Sequence, residues 1–255
     1  MNIRMIEKKL DQEDRKFIAP RFPGGVVKPD DLRKMADVCE RFPESKIKLT
    51  GEIIIGGIRD RKRDDEFREM LGISTFSVAG FSVRPVRICA GGYTCDNNLR
   101  DSFPFGLKLD EMFSGKKLPF KLIISVSGCS RSCAEPAIRD VGIVASKKGY
   151  SISVGGAAGA RPRIGEKLIE NTSEEEVISI LEKIIDLYQE DGKTPERLGI
   201  FIQRIGFEIF KGKILGLPPV YLKKTPMPVI SGTTKYENYQ KDSRGQEVKD
   251  SSERR

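Results

Sequence analysis

Four cysteines in two short knots set the chemistry this chain can do. Cys89 and Cys95 close the stretch CAGGYTC, with five residues between them, and Cys129 and Cys133 close CSRSC, with three between. Four thiolates are the donor set of a structural zinc ion or of an iron–sulfur cluster. Zinc sites favour two-residue spacers, because a tight turn aims two sulfurs at one small ion. The wider spacers here suit a cubane whose corners lie several ångströms apart. Spacing therefore favours a [4Fe-4S] cluster and leaves zinc, or no metal at all, as the alternatives. Both knots follow apolar, strand-like runs and contain glycine or serine, so backbone N–H groups are free to point at sulfur.

Composition narrows the options. The 255 residues carry a formal charge of +8 and no histidine. That removes His-based acid–base catalysis, Ser-His and Cys-His nucleophiles, Cys2His2 zinc sites, Rieske clusters and His-ligated haem. Lys and Arg are scattered among Asp and Glu, with no basic block, no interleaved aromatics and no Trp, which argues against nucleic acid as a partner. No apolar run reaches 18 residues, and MNIRMIEKKLDQEDRK has no apolar signal region, so a cytoplasmic protein without a membrane segment is expected. In that compartment clustered thiols serve metals or redox work rather than disulfides.

The elements that must position the knots follow from periodicity. A helix is expected from about Pro29, with Leu32, Met35, Ala36 and Cys39 on its buried face, which makes Cys39 a small core residue. IKLTGEIIIGGI reads as one strand, DDEFREML as a short helix, and FSVAGFSVRPVRICAG as a strand running into the first knot. LPFKLIISVSG reads as the strand that delivers the second knot. GIVAS and YSISV form a hairpin turned by KKG. Ser173 and Glu176 form a capping box for a helix buried through Val177, Ile180, Leu181, Ile184, Ile185 and Tyr188. TPERLGIFIQRIGFEIFKGKIL reads as one closing helix with Pro195 in its first turn. This pattern predicts an α+β protein with subdomains at 15–88 and 89–217, and an extended arm over 218–255.

Several segments together resemble the sirohaem-dependent nitrite and sulfite reductase family. They are PRFPGG, IKLTG, VRPVRICAGGYTC, LPFKLIISVSGCSRSCAEPAIRDVGIV, VGGAAGARPRIG and ERLGIFIQRIGFEIF, spanning roughly 17–215. The resemblance implies a ferredoxin-like N-terminal subdomain followed by an α/β subdomain that binds sirohaem and the cluster. It implies that Cys89, Cys95, Cys129 and Cys133 hold a [4Fe-4S] cluster, and that Cys133 also bridges to the sirohaem iron. It points to six-electron reduction of a small oxyanion, sulfite or nitrite. The alternative is a non-catalytic electron-transfer, redox-sensing or structural protein on the same fold.

Sirohaem carries many carboxylates, so its pocket needs cations and backbone N–H groups. Arg84, Arg87, Lys121, Arg161 and Arg163, with Gly155 and Gly156 of the glycine-rich loop, are the candidates for cofactor contact. Arg84, Lys121 and Arg131 are the candidates for catalysis. Three places depart from the family pattern: Glu52 and Ile123 stand where an Arg and a second Lys are usual, and Ser130-Arg131 interrupts the second knot. The resemblance further implies a homodimer or pairing with a related subunit. There is no dinucleotide fingerprint and no ferredoxin-type cysteine run, so an external donor such as a ferredoxin or a reductase subunit is expected.

Overall fold

The computed structural model describes residues 17–58, 60–76 and 80–218; most of the expected arm, like the charged start of the chain, lies outside the described residues. The first half alternates β1 (Phe17–Pro20), α1 (Pro29–Arg41), β2 (Lys46–Leu49), β3 (Ile53–Gly56), α2 (Arg61–Leu71) and β4 (Thr75–Phe76). Its antiparallel sheet has the order β2-β3-β1-β4, the split βαβ arrangement of ferredoxin-like folds. Ile18, Met35, Val38, Phe42, Ile55, Phe67 and Leu71 close the core between sheet and helices. At about 25 cal/mol per Å2 of apolar surface, each such side chain contributes roughly 1.5–3 kcal/mol.

Two local expectations change here. IKLTGEIIIGGI is a hairpin rather than one strand. The Thr50 hydroxyl donates to the Glu52 carbonyl at 2.5 Å and accepts the Glu52 N–H at 3.2 Å, which closes a turn inside the apolar run. The buried face of α1 is also displaced. Met35 and Val38 point into the core with Cys39 half-buried beside them, whereas Leu32 is 50% exposed and Ala36 faces outward. The sheet is too small to cover the first turn of the helix, so the seam begins at Met35.

The second sheet is built from residues after Ser82. Strands β5 (Arg87–Ile88), β6 (Ile124–Ser127), β7 (Val141–Ser146), β8 (Gly149–Val154) and β9 (Glu166–Thr172) lie in sequential order. β5, β6 and β7 run parallel, and β8 and β9 return antiparallel. Helices α3 (Gly91–Thr94), α4 (Ser102–Phe113), α5 (Glu174–Asp191), α6 (Leu198–Ile205) and α7 (Phe207–Leu215) complete this half. The capping box at Ser173–Glu176 forms, and all six expected α5 residues are buried. The expected closing helix is broken in two at Gly206, whose φ of 95° only glycine adopts readily. Pro195 precedes α6 rather than opening it, since that helix begins at Leu198. Of the run into the first knot, residues 77–79 lie outside the described residues; the described part forms the short strands β4 and β5, with bridges at Ser82 and Val83.

The two halves are joined by Asp110 of α4, which is 1% exposed. Its carboxylate accepts the Val86 N–H at 2.8 Å and the Arg21 guanidinium at 2.7 Å, so one side chain ties β1's end to the strand that leads to the first knot. Among the described residues no helix is long and apolar enough to cross a membrane.

Candidate functional site

Both knots leave the carboxyl ends of neighbouring parallel strands, where ligands of α/β sheets gather. Cys89 follows β5, and its N–H donates to Val126 of β6 at 3.0 Å. Two residues after β6 comes Cys129. The knots are fastened to one another through Gly128: its carbonyl accepts the Leu99 N–H at 2.8 Å, and its N–H donates to Cys89 Sγ at 3.2 Å. The Ser102 hydroxyl lies 3.1 Å from the same sulfur. Asp101 links α3 and α4 by accepting the Gly92 N–H at 2.9 Å and the Phe103 N–H at 3.0 Å. A sulfur aimed at by backbone and hydroxyl donors is what a cluster ligand needs, because such bonds stabilise the thiolate and tune its potential.

The second knot carries unusual backbone. Ser132 and Glu135, on either side of Cys133, have φ of 55° and 56°, the left-handed region that non-glycine residues rarely occupy. This turn sends Cys133 outward, where it is exposed, while Cys89, Cys95 and Cys129 are half-buried. Among the described residues no three His, Cys, Asp or Glu side chains are grouped closely enough to hold a single ion. Cys39 sits with the first core, away from the knots.

Cys133 also forms part of the wall of a cavity of about 460 Å3 between the two sheets, with Gly24, Gly51, Glu52, Phe76 and Arg87. Arg87 reaches Glu52 at 3.5 Å, and its Nε is buried without a hydrogen-bond partner. Arg84 is 7% exposed and lies 5.5 Å over the ring of Phe76, behind the cavity wall. Lys121 is half-buried close to Arg84; burial, then Arg197 and Arg84, hold its ammonium below the usual lysine range, against Asp140 and Glu52.

The other expected residues are placed differently. Arg163 is 7% exposed, donates to Gln203 at 3.0 Å and leaves Nη1 buried without a hydrogen bond. Arg161 is exposed on the same loop. Gly155 donates to the Asp140 carbonyl at 2.8 Å, and Gly156 packs so tightly that a Cβ would lie 2.6 Å from the Arg139 carbonyl. These glycines therefore brace the segment behind the second knot and are not cavity walls. Arg131 is exposed and lies off the cavity.

Gly142 of β7 has the same bracing role. A Cβ there would lie 2.1 Å from the Pro136 carbonyl, in the turn just behind Cys133. Gly142→Ala is expected to destabilise the protein by about 1–3 kcal/mol, read as a lower midpoint of thermal unfolding.

Sequence reasoning missed three residues that organise the charge here. Asp140 is fully buried and takes both arms of Arg197, at 3.0 and 2.6 Å, plus the Ile123 N–H at 2.8 Å. Burial pushes its carboxyl up, against the pull of Arg197, the Ile123 N–H and Lys121. Arg139 is 8% exposed and pairs with Glu135; burial and the neighbouring Arg87 hold its guanidinium low. The signal lay in AIRDVG and ERLGIF, but a pair 57 residues apart is invisible without the fold.

The site is thus a pair of cysteine knots at the edge of an inter-sheet cavity, on a two-sheet α+β fold. The chain belongs to the nitrite and sulphite reductase 4Fe-4S domain family, which it matches over residues 79–218. It is 31% identical over 201 residues to an assimilatory-type sulfite reductase of Nitratidesulfovibrio vulgaris, covering 78% of this chain and 92% of that one. It is 33% identical over 190 residues to a nitrite reductase [NAD(P)H] of Bacillus subtilis, covering 74% of this chain but only 24% of that protein. Its fold matches dissimilatory sulfite reductase I with a TM-score of 0.67 at 15% identity, over 91% of this chain and 78% of that one. These findings establish the ferredoxin-like and α/β halves as this family's fold and support an iron–sulfur cluster in this chain.

Proposed function

We propose that the protein is a sirohaem- and [4Fe-4S]-dependent reductase of a small oxyanion, sulfite or nitrite. The observation that carries this reading is the double membership of Cys133, which belongs to the four-cysteine set and to the cavity wall. Cys89, Cys95, Cys129 and Cys133 would hold the cluster. The cavity would take the sirohaem, with Cys133 as the shared ligand. One feature of the wall fits such a guest: Arg87 Nε is a buried donor without a hydrogen-bond partner, which a carboxylate would satisfy. Bound there, sirohaem supplies the redox chemistry at the anion; this chain supplies position and charge. Arg87 on the wall, with Arg84 and Lys121 behind it, would attract and orient the anion, while Gly155, Gly156 and Arg163 hold the segment behind the second knot. Electrons come from a separate donor, a ferredoxin-like protein or a reductase subunit, and the working unit is a dimer or a pair with a related subunit in the cytoplasm.

The test is the absorption spectrum of anaerobically purified protein, with iron and acid-labile sulfide counts, followed by reduced-dye assays with sulfite and nitrite. Haem-like bands, cluster iron and anion-dependent dye oxidation support the reading. Cluster absorption without haem bands would assign the chain to electron transfer instead.

A pH dependence follows from Lys121. A lysine with a lowered pKa keeps its charge below that pKa and loses it as pH rises through it. Anion affinity should therefore fall on the alkaline side at a lower pH than an ordinary lysine would give. Lys121→Met should flatten that limb and Lys121→Arg should move it to higher pH, measured as Kd for nitrite against pH.

A further inference from the structure

Among the described residues, Glu52 and Glu135 are the two carboxylates on the cavity wall and Arg87 is its one cation; Glu135 is turned to Arg139, which leaves Glu52 facing Arg87. The turn of Glu52 is fixed by Thr50, whose hydroxyl bonds to the backbone of Glu52 on both sides. Its carboxylate is 26% exposed and lies 3.5 Å from Arg87, and both residues line the cavity with Cys133. Gly51 makes room for this: a Cβ there would lie 3.0 Å from the Arg87 guanidinium. The pair spans the two sheets, since Glu52 sits at the β2–β3 turn and Arg87 on β5. The field of Glu52 reaches further, lowering the positive potential felt at both Lys121 and Arg139.

We propose that Glu52 is the residue that sets the charge selectivity of the cavity, holding Arg87 as an internal counter-ion and favouring singly charged oxyanions of the nitrite kind over doubly charged ones such as sulfite. This rests on the reading above that the cavity takes sirohaem and that a small oxyanion binds beside it. The physical reason is Coulomb's law. A fixed negative charge repels a dianion twice as strongly as a monoanion at the same place, and above neutral pH sulfite is a dianion while nitrite is a monoanion. At an effective dielectric constant of about 20, one unit charge on such a wall changes affinity by roughly tenfold per unit of anion charge after screening.

The experiment is calorimetric titration of the oxidised, cofactor-loaded protein with nitrite and with sulfite at mildly alkaline pH, which reads binding without turnover. Glu52→Gln keeps the shape and removes the charge. It should tighten nitrite about tenfold and sulfite about a hundredfold, moving the preference about tenfold towards sulfite. Glu52→Asp keeps the charge and should retain the wild-type preference. Glu182→Gln, the same charge change on the exposed face of α5, should leave both affinities unchanged. If Glu52→Gln shifts both anions equally, or matches Glu182→Gln, or is matched by Glu52→Asp, the selectivity role is overturned while the reductase reading stands. If the loaded wild-type protein binds neither anion, both fall.

Discussion

Replacing Cys133 with serine should strip the protein of most of its iron and acid-labile sulfide and lower anion-dependent dye oxidation by at least about a hundredfold. The expectation rests on position. Cys133 is exposed, so serine fits without disturbing packing, and a loss of iron would report ligation rather than collapse. The neighbouring left-handed residues Ser132 and Glu135 hold the turn in place whichever atom Cys133 carries. A serine oxygen is a harder and less readily ionised donor than a thiolate, and iron–sulfur clusters select thiolate. Cys39→Ala is the companion. It removes a half-buried sulfur from the first core, and iron and sulfide should stay as in the parent. Full iron content and an unchanged spectrum in Cys133→Ser would remove that residue from the ligand set. Far-ultraviolet circular dichroism of both variants checks that each is folded.

The largest effect on stability is expected at Asp140. Asp140→Asn leaves the Arg197 fork without its counter-charge in a site where the carboxylate is fully buried. Breaking such a pair from one side costs about 3–5 kcal/mol. Arg197 keeps 24% of its side chain exposed, and solvent screening places the loss near the lower end of that range. In a domain of this size each kcal/mol moves the midpoint by about 2–4 °C, so thermal unfolding should fall by roughly 6–12 °C. The double variant Asp140→Leu with Arg197→Met should recover most of this, because two apolar side chains leave no orphaned charge. A loss below about 1 kcal/mol in Asp140→Asn would mean that water reaches the pair. The same substitution touches the site: Lys121 loses one of the two carboxylates that support its charge, so the alkaline fall in anion affinity should begin at lower pH.

What the chain revealed on its own followed distance along the sequence. The face of α5 was legible because six apolar residues repeat within one helix and nothing else competes for them. The β7–β8 hairpin was legible because its turn residues lie between two alternating runs. Leu32 misled, since periodicity names a face but does not say where the sheet beneath it ends. The helix Ser102–Phe113 has no counterpart among the elements expected from sequence; Pro104 stands in its first turn, where its missing N–H is harmless, and Gly106 lets α4 approach Ile88. The cysteine spacing pointed to a cluster while leaving zinc or no metal open, and the resemblance of the flanking segments narrowed it. Which arginines face the cavity was not legible, because Arg84, Arg87, Arg139 and Arg163 look alike in sequence. They separate only through Phe76, Glu52, Glu135 and Gln203, all contributed by distant or differently oriented elements.

The ion pairs that cross between the halves bear on the shape of the cavity. Arg21–Asp110 and Arg87–Glu52 each join the first half to the second beside it, through Pro20 and Val86 in one case and directly on its wall in the other. The width of the cavity is therefore set by two contacts whose partners lie 89 and 35 residues apart in the chain, and loss of either would leave the other to hold the two halves in register.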